Sequence, residues 1–208
     1  MQSFTTITAI AAPLDIAKID TGMIVPGRLQ RLPRRPGHAD YARVFLHDLR
    51  FDEQEKPRAD FVLNHPAYAG AQILVTGPDF GCGSSREAAA FATLDFGVRA
   101  LIGPGFGDVY FSNCMQSGIL PIVLPQAIVT SIMQQLKASP GATMTADLEH
   151  QIVTSPGGAT HGFDIDATRK ERLLKGLDDV GVTLQHLPEI EAFEARHRAA
   201  MPWRASLI

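Results

Sequence analysis

The chain has 208 residues, of which 45% are hydrophobic and 20% charged, and its formal net charge is −3. That composition belongs to a globular chain and excludes a disordered tail, a fibrous repeat and the basic surface that nucleic acid demands. No stretch approaches the ~20 apolar residues of a membrane span, and no basic segment followed by an apolar one opens the chain, so a cytoplasmic protein with no membrane partner is expected.

In chain order, Phe4 to Ile10 alternates Thr and Ile with the period of a strand, and Ala11-Ala-Pro13 reads as its close. Asp15 to Gly22 carries turn chemistry, and Met23-Ile-Val-Pro26 is a short apolar segment stopped by proline. Arg28 to Gly37 is basic and proline-punctuated, hence a loop. Tyr41, Val44, Phe45 and Leu49 recur at helical spacing, which predicts a helix over Ala39 to Phe51. Asp52 to Gly70 reads as an ordered loop anchored by Phe61-Val-Leu63.

Three βα units follow. Ile73–Val75 precedes a helix over Ser85–Phe96, Ala100–Ile102 one over Phe106–Ser117, and Ile119–Leu124 one over Gln126–Lys137. Short apolar runs alternating with helical patterns predict an α/β fold with a largely parallel sheet buried on both faces. After Pro140, Thr143 to Thr154 and His161 to Ile165 read as a hairpin, Ala167 to Lys175 as a helix ended by Gly176, Asp179 to Leu184 as a glycine-broken segment, and Pro188 to Ala200 as a last amphipathic helix. The expected organisation is a single domain over 1–208, with a core to about residue 140 and a C-terminal hairpin and helix extension.

Asp79-Phe-Gly-Cys-Gly-Ser-Ser-Arg-Glu87 closes the first of these strands and opens its helix. Gly81, Cys82 and Gly83 let a ligand approach the backbone, while Ser84, Ser85 and Arg86 put two hydroxyls and a guanidinium at a helix start that already favours an anion. The structural alternative is a capping box between Ser84 and Glu87. It leaves Gly81, Gly83 and Arg86 without a reason. Gly81-x-Gly83 lacks the third glycine of a dinucleotide loop, and no Gly-Lys-Ser/Thr occurs. The seven histidines are scattered, and Cys82 and Cys114 lack CxxC spacing, so neither a protein-made metal site nor a disulfide scaffold is indicated. Two thiolates are also too few for a cubane iron–sulfur cluster. Cys82, near a helix start, is either a lowered-pKa thiol or a small packing residue.

With Phe80-Gly-Cys-Gly-Ser-Ser-Arg-Glu87, Pro104-Gly-Phe-Gly-Asp-Val-Tyr110, Asn113, Gly118-Ile-Leu-Pro121, Ile19-Asp-Thr21, Ile24-x-Pro26, Gly176-Leu-Asp178 and Gly181-x-Thr-Leu184 in hand, the chain resembles the small subunit of 3-isopropylmalate dehydratase, in the aconitase superfamily. The resemblance implies a swivelling β/β/α domain that binds no cofactor itself and docks on a cluster-bearing large subunit, where a [4Fe–4S] centre is held, as a heterodimer or heterotetramer. It implies that Ser84 is the general base and that Ser85 and Arg86 bind the carboxylate of a small dicarboxylate substrate, with Gly83, Asp20 and Thr21 beside them. The family's specificity loop corresponds to Gly27 to Ala39, which brings Arg34 and Arg28 forward as further substrate-binding residues. The chain departs from the pattern at Gly22, where the family has aspartate, at Ala88, where it has histidine, and at Gly105 and Gly107. These departures point to a divergent relative acting on 2-isopropylmalate or another 2-hydroxy dicarboxylate. A non-catalytic assembly subunit and a free-standing carboxylate- or phosphate-binding module are the rival readings.

Overall fold

The protein is described here as a computed structural model covering residues 1–35, 38–84 and 86–203. Seven strands form one sheet in the order β4-β3-β2-β1-β5-β6-β7. They are β1 (Thr6–Leu14), β2 (Ile73–Thr76), β3 (Ala100–Gly103), β4 (Leu120–Val123), β5 (Thr143–Asp147), β6 (Ile152–Thr154) and β7 (Thr160–Gly162). Half of the sheet, β1 to β4, is parallel; the other half, β5 to β7, is an antiparallel meander joined on through β1. The C-terminal hairpin therefore forms and gains a third strand.

β1 serves both halves along different stretches. Thr6 to Ile10 pairs with β5, and Ala11 to Leu14 pairs with β2 in parallel. The strand thus runs through Ala11-Ala-Pro13, where the sequence suggested a stop. Ala11 N–H donates away from β2, to the Ala142 carbonyl at 3.1 Å, and two residues further on β5 no longer flanks that side. The N–H that Pro13 lacks would point the same way, so the proline costs no ladder bond.

β2 and β3 are buried at every position, as strands covered on both faces must be. Leu74 and Leu101 face one core with α3 (Glu87–Asp95), while Ile73, Val75 and Ile102 face the other with α5 (Gln126–Ala138). α4 (Asp108–Ser117) gives Tyr110 and Cys114 to the first core and ends at Gly118 in the left-handed region (φ 85°). α6 (Ala167–Lys175) adds Leu173 to the second.

The helix expected over Ala39 to Phe51 shrinks to one turn, α2 (His47–Arg50). Leu46 adopts φ 50° and its N–H leaves the local ladder for the Ile24 carbonyl at 2.8 Å, which breaks the helix while keeping Tyr41, Val44 and Phe45 buried. Conversely, Thr21–Ile24 is a helical turn, α1, and Asp179–Leu184 is a short helix, α7, capped by Asp178. α8 spans Leu187–Ala200. Among the described residues no helix is long and apolar enough to cross a membrane.

Candidate functional site

The turn that follows β2 is gripped by the segment that follows β1. Lys18 N–H donates to the Pro78 carbonyl at 2.8 Å, Gly81 N–H to Ile19 at 2.7 Å, and Thr21 N–H to Cys82 at 3.0 Å. Asp20 and Cys82 form a parallel bridge. The buried Thr21 completes the grip with its side chain, donating from Oγ1 to the Ser84 carbonyl at 2.6 Å. Asp20 is the N-cap of α1, its Oδ1 accepting from Gly22 N at 2.6 Å and Met23 N at 2.8 Å. The structure therefore brings Asp20 and Thr21 to Gly83, Ser84 and Arg86 across more than sixty residues of chain.

α3 begins at Glu87, not at Ser85, with Arg86 in extended conformation (φ −135°, ψ 112°) as its N-cap and no side-chain bond on the cap. Neither half of a Ser84–Glu87 capping box is formed, so the structural explanation for Ser84 falls away. Ser84 is exposed, and among the described residues no hydrogen bond engages its hydroxyl. Ser85, the second serine expected to bind substrate, lies outside the described residues.

Arg86 is half-buried and reaches across α1. Its Nη1 donates to the Val25 carbonyl at 3.0 Å, at the end of that turn. A Cβ on Gly22 would stand 3.2 Å from Nη1 and 3.0 Å from Asp20 Oδ1, so the absence of a side chain at 22 leaves the guanidinium its path. Among the described residues Arg86 makes no ion pair, and the nearby Asp20 turns Oδ1 to its cap. A partly desolvated guanidinium without an ion pair, at a helix start beside an exposed hydroxyl, suits an anionic ligand.

Below the turn lies a layer that the sequence named without assigning it work. Gly81 sits at φ 77° against the Tyr110 ring, so close that a Cβ there would fall 2.2 Å from Cδ1. Tyr110 is held by Thr93 (2.7 Å between hydroxyls) and packs edge-on against Phe80, with 5.5 Å between ring centroids. Burial drives the Tyr110 hydroxyl well above its ordinary range. Gly107 N–H donates to the Phe80 carbonyl at 3.0 Å, and a Cβ on Gly107 would meet the Gly81 carbonyl at 2.3 Å. The Pro104–Tyr110 motif is thus the bed of the turn. Its mark in the sequence is the pair of glycines around Phe106.

The specificity-loop arginines are placed elsewhere. Arg34 makes a two-pronged pair with Asp95, Nε to Oδ2 at 3.0 Å and Nη2 to Oδ1 at 2.8 Å, and stacks over Phe91. Asp95 is the last residue of α3, about 13 Å along the helix from Arg86. Arg28 pairs with Asp48 at 2.8 and 2.5 Å on the exposed surface. Neither reaches the turn, because each guanidinium is already neutralised by an aspartate distant in sequence. Pro36 and Gly37 of the same loop lie outside the described residues.

Residues 1–127 match the model of the aconitase C-terminal domain, 130–167 that of LeuD_N, and 179–205 that of the C-terminal domain of the 3-isopropylmalate dehydratase small subunit. The 3-isopropylmalate dehydratase small subunit of Dinoroseobacter shibae is 48% identical over 98% of this chain and all of its own length. That of Jannaschia sp. is likewise 48% identical over 98% of this chain and all of its own. The chain belongs to the 3-isopropylmalate dehydratase small subunit family. A crystal structure of 3-isopropylmalate dehydratase from Methanocaldococcus jannaschii superposes with a TM-score of 0.62 over 92% of this chain and 99% of that one, at 20% identity, and shares the fold.

Within this family's pattern, Gly22 opens the space over Arg86, Ala88 packs on the core, and Gly105 faces open space. Cys82 is partly exposed in the turn and Cys114 buried in α4. Burial pushes the Cys114 thiol up to about 12, so it stays protonated. Among the described residues no three His, Cys, Asp or Glu side chains gather to hold a metal. This chain's donor set does not fit a [4Fe–4S] cluster.

Proposed function

We infer that this chain is the substrate-gripping half of a cytoplasmic hydro-lyase that isomerises 2-isopropylmalate to 3-isopropylmalate. Arg86 clamps a substrate carboxylate with its fork, Ser85 adds a hydroxyl, and Thr21, by holding the Ser84 carbonyl, steadies the backbone that carries the Ser84 hydroxyl. Ser84, as its alkoxide, takes the proton from the carbon next to the carboxylate and the hydroxyl of the neighbouring carbon departs as hydroxide, together the elements of one water, which then add back with the two carbons exchanged. A large subunit bearing the [4Fe–4S] cluster supplies the Lewis acid for that hydroxyl. The observation that carries the reading is a half-buried Arg86 with no carboxylate partner among the described residues, next to an exposed Ser84 that caps nothing.

The test is to assemble the chain with a cluster-bearing large subunit and follow the unsaturated intermediate. Ser84→Ala is expected to slow its formation at least ~100-fold while the complex still forms. Near-full turnover by that variant removes Ser84 from the mechanism.

A further inference from the structure

Tyr110 stands in the first turn of α4 and is 1% exposed, with its ring under Gly81 and edge-on to Phe80. Gly81, left-handed and without a Cβ, rests on that ring at a distance no other residue could adopt, so the start of the turn has a rigid seat. At the far end of the ring the hydroxyl meets Thr93 Oγ1 at 2.7 Å, and Thr93 Oγ1 meets the Ala89 carbonyl at 2.8 Å. A buried tyrosine O–H needs an acceptor, and Thr93 has a single proton to give. Tyr110 therefore donates to Thr93, and Thr93 donates to Ala89. Ala89 N–H in turn donates to the Arg86 carbonyl at 3.0 Å. Among the described residues the Tyr110–Thr93 bond is the one side-chain hydrogen bond between α3 and α4.

One side chain thus holds both ends of the stretch that carries Ser84. The ring seats Gly81, and the hydroxyl holds α3 and, through Ala89, its Arg86 N-cap. A short stretch of backbone takes its shape from where its ends are fixed, and only four residues separate Gly81 from Arg86. Tyr110 has no path to a ligand, being enclosed by Gly81, Phe80 and Thr93, so whatever it contributes passes through the turn.

We propose that Tyr110 is a positioning residue, which through its hydroxyl bond to Thr93 locks the turn so that Ser84 keeps one placement relative to Arg86. The consequence for turnover rests on the reading of Ser84 and Arg86 given above. Arg86 has a second hold of its own, on the Val25 carbonyl at 3.0 Å. Loss of the Tyr110 hydroxyl should therefore spare the grip on the substrate and loosen the base.

Tyr110→Phe keeps the ring and removes the hydroxyl. In the enzyme assembled with a cluster-bearing large subunit, it is expected to lower kcat about tenfold and to leave KM within about twofold. A second readout needs no turnover. Cys82 is partly exposed within the turn, whereas Cys114 is buried and protonated, so maleimide labelling of the full chain, located by peptide mass, follows the turn through Cys82. That labelling should quicken at least about fivefold in Tyr110→Phe as local opening becomes easier. Thr93→Val should have both effects, the double variant should exceed neither single one, and Thr93→Ser, which keeps the hydroxyl, should restore both readouts. Ile132→Val weakens the other core and should change neither. Unchanged Cys82 labelling in Tyr110→Phe overturns the proposal, as does a loss carried by KM alone or an equal fall of kcat in Ile132→Val. If Ser84→Ala keeps near-full turnover, the reading of the site falls, and Cys82 labelling alone decides whether Tyr110 locks the turn.

Discussion

Arg86 illustrates how a single side chain becomes a candidate for ligand binding by what is missing around it. Its guanidinium passes over a residue with no Cβ, spends one N–H on the Val25 carbonyl, and meets no carboxylate among the described residues. Lysine in its place would keep the charge and lose the planar fork. Arg86→Lys is therefore expected to raise KM some 10- to 100-fold, the ~1.5–3 kcal/mol of a charge-assisted bond, with a smaller effect on kcat. Steady-state kinetics of the assembled enzyme checks it, and an unchanged KM would place the carboxylate elsewhere. The turn that carries Ser84 and Arg86 was legible in the sequence as a candidate site because it is local, nine consecutive residues with a chemistry of their own. The partner of Arg34 was not. The ion pair with Asp95 spans sixty-one residues, and nothing in the basic run that holds the arginine says which acid will claim it.

The elements were most readable where one local rule governed them. The three βα units appear as expected, since buried apolar strands and helical spacing are properties of short windows. The predicted helix before Phe51 failed because tertiary demand outbid periodicity: Leu46 turned left-handed to bond Ile24. α2 carries a further consequence. Its Asp48 is held down to about 2, chiefly by the hydrogen bond from Arg28. A carboxylate depressed in the folded state stabilises above its unfolded value near 4 and loses that contribution as pH falls toward 2. Both side chains are more than half exposed, so solvent screening keeps the effect small. Asp48→Asn should cost at most about 1 kcal/mol near neutrality, and the difference from the unaltered chain should vanish between pH ~4 and ~2 in denaturant titrations. A difference that persists at pH 2 would mean that the asparagine disturbs packing rather than charge.

At the scale of the molecule, one sheet joins a parallel half that carries the candidate turn to an antiparallel half that does not. The C-terminal helices α7 and α8 hang from this frame without burying a residue. Ending the chain after Asp178 should shift unfolding in dilute solution by no more than about 1 kcal/mol, measured by chemical denaturation. A larger loss would show that these helices brace the core. The sequence announced both halves but not their junction, since the alternation stops at Ile10 while the strand runs on to Leu14. Pro13 stands three residues past that junction, opposite Val75, and is buried. A residue with an N–H there would carry a buried donor on the side β5 no longer flanks, and that donor would need a partner from another element. The imino acid removes the demand at its source.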